Sequence, residues 1–374
     1  MKFISLQENL KRGLSVVSRI SSKNINLPIL NNILIKANAG TIEFISTNLE
    51  IGISHQIRGK VEKDGEFTVD SKLINEYISL LESGEKVLVD LEKNELKIEC
   101  GNYKTKIKGE DSKEFPLIPT IPKNSFYSTN LFALKKALNS VIFSVSNSEN
   151  RLELSGVLFS FIGEDLFLAA TDSYRLAEYK LKINKEKIEE DQKIIVPAKT
   201  IQELLRIIGN FENSLEQDDQ EIKIYLSDNQ ILFSFDSVEI ISRLISGHYP
   251  DYQQIIPSKS QTEIKTNRNE LVRAVKAAAL FSKTGINDIT LLFFGKKILV
   301  SAFSGSSGES QVELAAEVSG GDNEVTINYR YLLDGLNNIE GEFVGLSVLN
   351  NMTPCVLRPE KNKDYLYIVM PIRQ

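Results

Sequence analysis

The sequence predicts an α+β chain of three similar domains, each with two helices and about eight strands, and three observations carry that prediction. An amphipathic helical pattern occurs three times, at Leu6–Ile20 (LQENLKRGLSVVSRI), Leu131–Val145 (LFALKKALNSVIFSV) and Asn269–Phe281 (NELVRAVKAAALF), with apolar residues at helical spacing. A second helix follows each one about 60 residues later, at Lys72–Leu81, Lys199–Ile208 and Arg330–Ile339, behind β-type lead-ins at Phe67–Val69, Ile194–Val196 and Val325–Ile327. The segments between helices alternate apolar and polar residues and break at Gly, Asn or Asp, as half-buried strands do.

Along the chain, Thr41–Ser46 (TIEFIS) reads as a strand, and Ser83-Gly84 closes the Lys72–Leu81 helix ahead of the strand Val87–Leu91. Phe115–Pro122 (FPLIPTIP) then leaves the first copy as an extended exit strand that becomes a linker. In the second copy Leu152–Phe161, Leu166–Ala170, Arg175–Leu181 and Lys223–Leu226 are strand-like, and Tyr249–Pro257 (YPDYQQIIP) repeats the exit. Lys296–Ala302 is a strand of the third. Boundaries near 122–128 and 257–262 divide the chain into 1–125, 126–257 and 258–374.

Composition narrows the function. Across 374 residues, 42% hydrophobic and 25% charged content fits a soluble globular protein. The N-terminus carries Glu8 where a signal peptide needs an apolar run, and no stretch approaches the roughly 18 apolar residues of a membrane span, so a cytoplasmic protein without membrane contact is expected. Cys100 and Cys355 form no CxxC pair and read as buried small hydrophobes; no metal or cofactor is indicated. A net charge of −6 argues against coating nucleic acid by general positive charge, but leaves room for a local basic surface.

The stretch LAATDSYRLAEY (Leu168–Tyr179) gathers Thr171, Asp172, Ser173, Tyr174 and Arg175, but they fall on a hairpin turn where Asp and Ser serve the backbone. The first copy has Asn48-Leu49-Glu50 at the equivalent turn, so the turn belongs to the scaffold. A catalytic serine needs a base, and the two histidines, His55 in a polar strand and His248 before an exit segment, form no triad pattern. Ser83–Lys86, Ser148–Asn150 and Lys283–Gly285 imitate the SxxK, SxN and KTG order of penicillin-recognising enzymes, yet Ser83 ends a helix instead of opening one. The loop Phe303–Ser310 (FSGSSGES) lacks a Walker lysine and reads as a hairpin loop. A non-catalytic protein is expected.

The helices concentrate basic residues: Lys11, Arg12 and Arg19; Lys72; Lys135 and Lys136; Lys199 and Arg206; Arg273, Lys276 and Arg330. Glu8, Glu76, Glu203, Glu270 and Asp334 are their fewer acidic counterparts. Surface helices favour lysine in any case. An excess on all three copies of the first helix points further, to a shared polyanion such as backbone phosphates contacted without sequence preference.

In its opening MKF, LPILNNILI (Leu27–Ile35), TNLEIGI (Thr47–Ile53), EFP (Glu114–Pro116), ATDSYRLA, VPAK (Val196–Lys199), YPDY with its IIP exit, and the terminal YIVMPIRQ (Tyr367–Gln374), the chain resembles the bacterial sliding clamps, the β subunits of DNA polymerase III, over essentially its whole length. The resemblance implies a head-to-tail homodimer closed into a ring around double-stranded DNA. Such a ring acts as a processivity factor that tethers the polymerase III catalytic subunit, the clamp loader and other replication and repair proteins. It implies a partner-peptide pocket formed by Leu154, Thr171, Ser173, Tyr174, Arg175 and Leu176, by Pro250, Gln254 and Ile255, by Asn328, Tyr331, Met352 and Pro354, and by Ile368, Val369, Met370, Pro371, Ile372 and Arg373. Lys23, Asn24 and Arg151 occupy loop positions where relatives touch DNA, and the subunit contact would involve Tyr103, Thr105 and Ile107 with Leu280 and Phe281. Ser173-Tyr174 stand where many relatives have Gly-His, Gln254 where they have a basic residue, and Ile372-Arg373-Gln374 where they often end in Met-Arg-Leu, which implies altered peptide preference. A different class of reading stays open: a solitary scaffold that binds protein alone, with incidental basic helices.

Overall fold

Four of the six helices are capped by the side chain of the residue that ends the strand before them. The Asp70 carboxylate accepts from Leu73 N at 2.7 Å, Asn130 Oδ1 from Phe132 N at 3.0 Å, Asn267 Oδ1 from Asn269 N and Glu270 N at 3.0 and 3.1 Å, and Asn328 Oδ1 from Arg330 N at 2.9 Å. Such caps satisfy amide groups that the first helical turn leaves orphaned. In the computed structural model, which describes residues 1–20, 27–148, 150–211 and 220–373, the helices are α1 (Gln7–Val17), α2 (Ser71–Leu80), α3 (Leu131–Ile142), α4 (Ala198–Gly209), α5 (Arg268–Ala279) and α6 (Tyr329–Asn338). All six fall where the sequence predicts them, with the first helix of each copy stopping two or three residues early. No helix of the described residues is long and apolar enough to cross a membrane.

The strands repeat one connectivity three times. In each third of the chain the first strand pairs with the fifth and seventh, and the second with the third and sixth. The described residues thus hold nine strands per copy where about eight are expected. The fifth strands, Lys60–Lys63, Asn184–Glu186 and Glu317–Gly320, are too short and polar to announce themselves in the sequence. Two other expectations are corrected. Leu152–Leu154 is a 3-10 turn ahead of the strand Gly156–Ile162, and the exits are not strands: Tyr252–Ile255 is a 3-10 turn, and 115–125 has no ladder pairing. Prolines in both exits remove the amide donors that a ladder would need.

Consecutive copies join edge to edge. The fourth strand of the first copy, Ile51–Ile57, pairs with the last strand of the second, Val238–Arg243, from Ile51 opposite Ser242 to His55 opposite Val238. The fourth strand of the second, Arg175–Lys182, pairs with the last of the third, Tyr365–Val369, from Arg175 opposite Val369 to Tyr179 opposite Tyr365. Two strands of these classes remain. Gly308–Ala315 is the edge of a four-stranded sheet, and Tyr103–Glu110 is contacted on its outer side only at Glu110 and Gly109, by Thr68 and Val69.

By contacts the chain divides into two compact units, one of residues 1–132, 184–189 and 203–244, the other of 133–183, 190–202 and 245–374. The first holds a 14-stranded sheet and the second holds sheets of nine and four strands. α1 buries Leu10, Leu14, Val16 and Val17, and lies close on Thr41–Thr47 because residue 13 is glycine; a Cβ there would come within 2.7 Å of the Phe44 ring. Each fully buried Leu or Val contributes about 1.5–3 kcal/mol, the main driving term for this packing. Cys100 and Cys355 are free and buried, as expected.

His55 departs from its expected polar setting. It is only 3% exposed, with Nε2 3.1 Å from Ser237 Oγ and its ring edge-on to Phe211 at 6.0 Å. Burial, aided by the positive charge of Arg12, pushes its pKa down to about 4. A depressed histidine pKa means that the unfolded chain takes up the proton first. Stability is therefore full above pH 6.5 and declines as pH falls towards 4, by up to about 3 kcal/mol. His55→Gln should flatten this part of the pH dependence in urea unfolding; an unchanged profile would refute the assignment.

Candidate functional site

The hairpin Thr171–Arg175 is built by its own side chains. Thr171 Oγ1 donates to Arg175 O at 2.6 Å and accepts from Ser173 N at 3.1 Å, while Asp172 Oδ1 accepts from Tyr174 N and Arg175 N at 2.9 and 3.0 Å. Ser173 adopts a left-handed φ of 78°. The first copy repeats this at Thr47–Ile51: Thr47 Oγ1 donates to Ile51 O at 2.9 Å, Asn48 Oδ1 accepts from Glu50 N and Ile51 N, and Leu49 has φ 74°. The Thr-Asx pair is therefore turn chemistry. What differs between the two copies is what the turn projects.

It projects an aromatic and charged cluster. The Arg175 guanidinium is held by Asp172 at 3.0 Å and by Asp334 of α6, and lies over the Tyr331 ring at 4.8 Å, with Phe143 at 5.7 Å. Tyr174 stacks on Tyr331 with centroids 6.2 Å apart and planes 16° from parallel. The chain end closes the arrangement. Met370 N donates to Tyr174 O at 2.9 Å, Ile372 N to Thr326 O at 2.8 Å, and Pro371 bridges to Ile327. Sequence reasoning overlooked Phe143 and Asp334 at this site; the final turn of an apolar helix pattern and one acidic residue on a basic helix were their only signals.

The residues expected to form a pocket fall into two layers. Leu154, Thr171, Leu176, Ile368 and Val369 are buried, and Leu176 and Ile368 share a core cluster with Leu158, Ile195, Tyr252 and Val356. Around them Arg175, Asn328, Tyr331, Pro354, Met370, Pro371 and Ile372 are half-buried, and Ser173, Tyr174, Pro250, Gln254, Ile255, Met352 and Arg373 are exposed. Tyr174 at 63% and Met352 at 54% exposure are large apolar groups without cover. Gln254 is turned to Asp251, its Nε2 2.7 Å from Oδ2. Burial raises the Glu178 carboxyl above its ordinary range, although the Tyr252 hydroxyl donates to it, pushes the Cys355 thiol up to about 12, and keeps the Tyr249 and Tyr252 phenols protonated. The site offers an apolar surface with a fixed cation.

The basic residues also separate. Lys11, Arg19, Lys72, Lys136, Lys199, Arg273 and Lys276 are exposed, with Lys72 3.8 Å from Glu76 and Lys136 paired to Glu340. Lys135 is half-buried, and Lys23 and Asn24 lie outside the described residues. Arg206 is engaged locally. Its Nε meets Glu203 at 2.7 Å, and its terminal nitrogens donate to Ser15 O and Val16 O, capping carbonyls at the end of α1. Arg12 lies over the Phe211 ring at 4.2 Å, and exposed Arg151 donates to Ser173 Oγ at 2.8 Å.

Three α+β copies of one connectivity, joined strand to strand at their edges, define a protein of the DNA-clamp fold. Models of the N-terminal, central and C-terminal domains of the DNA polymerase III β subunit match residues 1–119, 130–251 and 253–373. A β sliding clamp of Staphylococcus epidermidis is 27% identical over 383 aligned positions, covering 100% of this chain and 99% of that protein. The crystal structure of the Pseudomonas aeruginosa DNA polymerase III subunit β superposes with a TM-score of 0.93 at 25% identity, and that of the Bacillus subtilis sliding clamp with 0.91 at 26%, each covering 100% of this chain and 100% and 99% of theirs. The chain belongs to the bacterial sliding clamps, the β subunits of DNA polymerase III.

The two layers predict different responses to truncation. Leu176→Ala opens a hole in a packed core and should lower unfolding free energy by about 2–5 kcal/mol, whereas Met370→Ala at a half-exposed position should lower it by less than about 1.5 kcal/mol. Urea unfolding of both variants tests this; equal losses would contradict the layering.

Proposed function

We propose that two copies of this chain, each organised as domains 1–125, 126–257 and 258–374, close head to tail into a ring around double-stranded DNA. The ring serves, without catalysis of its own, as the cytoplasmic processivity clamp for polymerase III and its loader. The observation that carries this is the pair of unused strand edges. Within the chain, a fourth strand always takes the last strand of the next copy, so Gly308–Ala315 and Tyr103–Glu110 are the two strands that have no such mate. Unpaired edges invite pairing, and a heterologous contact between two different edges closes a ring when the rotation allows.

Charge favours the same union. Lys104, Lys106 and Lys108 alternate along one edge, and Glu309 and Glu313 along the other. Tyr103 follows a two-residue turn from Cys100 as Val238 does from Phe235, and Gly308 pairs with the end of the preceding strand as Gly52 does. Carrying over the internal register sets Gly308 against Lys106 and Glu309 against Thr105 of the second copy. Leu280 is exposed and Phe281 lies beside Gly308, consistent with a place for both in this contact.

The exposed helix cations Lys11, Arg19, Lys72, Lys136, Lys199, Arg273 and Lys276 supply weak contacts to backbone phosphates, suited to a ring held on DNA by topology; Arg12 and Arg206 chiefly brace the helices. Tyr174, Met352, Ile255 and Met370 receive apolar side chains of partner peptides from the polymerase, the loader and other replication or repair proteins. Methionine repacks readily around different partners.

Sedimentation should give twice 42.0 kDa. Lys106→Glu should weaken the dimer tenfold or more, about 1.4 kcal/mol; a wild-type protein that sediments as a monomer would overturn the ring. With a loader, the protein should stay on closed circular DNA and run off linear DNA, and Met370→Ala should weaken a bound partner peptide about tenfold in a fluorescence titration.

A further inference from the structure

The junction of the first and second copies repeats the backbone of the hairpin site and fills it with different side chains. Arg243 N donates to Glu50 O at 3.1 Å, as Met370 N does to Tyr174 O at 2.9 Å. Ile51 faces Ser242 as Arg175 faces Val369. Position by position, Gly52 therefore stands where Leu176 does, Glu50 where Tyr174 does, and Arg243 where Met370 does.

The replacements give the junction a different lining. Ile241 and Ile118 close over Gly52, where a Cβ would meet them at 3.0 and 3.1 Å, and beside them lies a cavity of about 180 Å³, lined by Ile51, Ile118 and Ile241 among others. That volume accepts one large aliphatic or aromatic side chain. No aromatic lid is expected, because the residue matching Tyr174 is a glutamate. Two leucines stand on the rim uncovered: Leu117 is 97% exposed, and Leu49 is 46% exposed at a left-handed φ of 74°. A bulky residue in that conformation, with its apolar side chain in water, is unfavourable on both counts, which points to a bound state that covers it. Arg243, also on the rim, is exposed and has no ion pair among the described residues.

We propose that this junction is a second, weaker docking pocket for an extended peptide that carries a large apolar anchor next to an acidic side chain. The anchor enters the cavity between Ile118 and Ile241, Leu49 and Leu117 close over it, and Arg243 pairs with the acid. The assignment rests on reading the Thr171–Leu176 hairpin as the stronger peptide site, whose geometry it repeats.

The test titrates the full-length dimer with a fluorescein-labelled Gly-Ser-Glu-Leu-Phe-Gly peptide and with its Gly-Ser-Lys-Leu-Phe-Gly counterpart, read by anisotropy. Wild type should show two binding phases, and Met370→Glu should remove the tighter one. The remaining phase should be tenfold or more weaker, should prefer the glutamate peptide, and should vanish on adding Leu117→Asp, an exposed change with no cost to folding. Arg243→Glu should abolish the preference for the acidic peptide. The inference fails if Met370→Glu alone removes all binding, or if the residual phase ignores both Leu117→Asp and Arg243→Glu. If Met370→Glu leaves both phases, the stronger-site reading fails instead, and the response to Leu117→Asp still decides this one.

Discussion

A strand at the edge of a sheet carries backbone donors and acceptors that must find partners, and this protein satisfies them by one rule applied repeatedly. The fourth strand of a copy takes the last strand of its neighbour, with the hairpin turn at one end of the seam. Everything of functional interest follows from that rule. It builds two junctions inside the chain, leaves two strands of opposite charge pattern without such mates, and brings an exit linker, a turn and a terminal strand together wherever two copies meet.

The junctions show how one backbone device supports different chemistry. The Thr-Asx hydrogen bonds are nearly the same at Thr47–Ile51 and Thr171–Arg175, because they hold the turn and leave the outward positions free. At the second turn those positions carry Ser173 and Tyr174, and Arg175 is locked between Asp172 and Asp334 beneath a stacked pair of tyrosines. At the first they carry Leu49 and Glu50, with Gly52 behind them, covered by Ile118 and Ile241 at the wall of a cavity. Partly buried ion pairs such as that of Arg175 contribute little net stability, but they fix geometry, which the proposed docking surface requires.

Cations on the helices divide by the same logic of partners. A guanidinium presents several donors in a rigid fork, so Arg206 can satisfy two helix-end carbonyls and a carboxylate at once, and Arg12 can lie flat on Phe211. Lysine ammonium groups stay hydrated and mobile, and most of the exposed helix cations are lysines. That suits transient phosphate contact, since a protein that must move along a duplex cannot hold any one phosphate tightly.

The sequence by itself determined the threefold repeat, the six helices, the hairpin turns and the three domain matches, because these rest on local periodicity and turn chemistry that each segment carries alone. The resemblance to the family, and no local pattern, pointed to Tyr103–Ile107 as part of a subunit contact. Only the tertiary structure decided that Leu176 and Ile368 are core while Tyr174 and Met352 are surface, that Arg206 is a helix cap, that His55 is buried, and that Gly308–Ala315 is the other free edge. Burial, partner choice and edge status depend on which strands become neighbours, and neighbours separated by up to 194 residues, as Arg175 and Val369 are, leave no trace in local pattern.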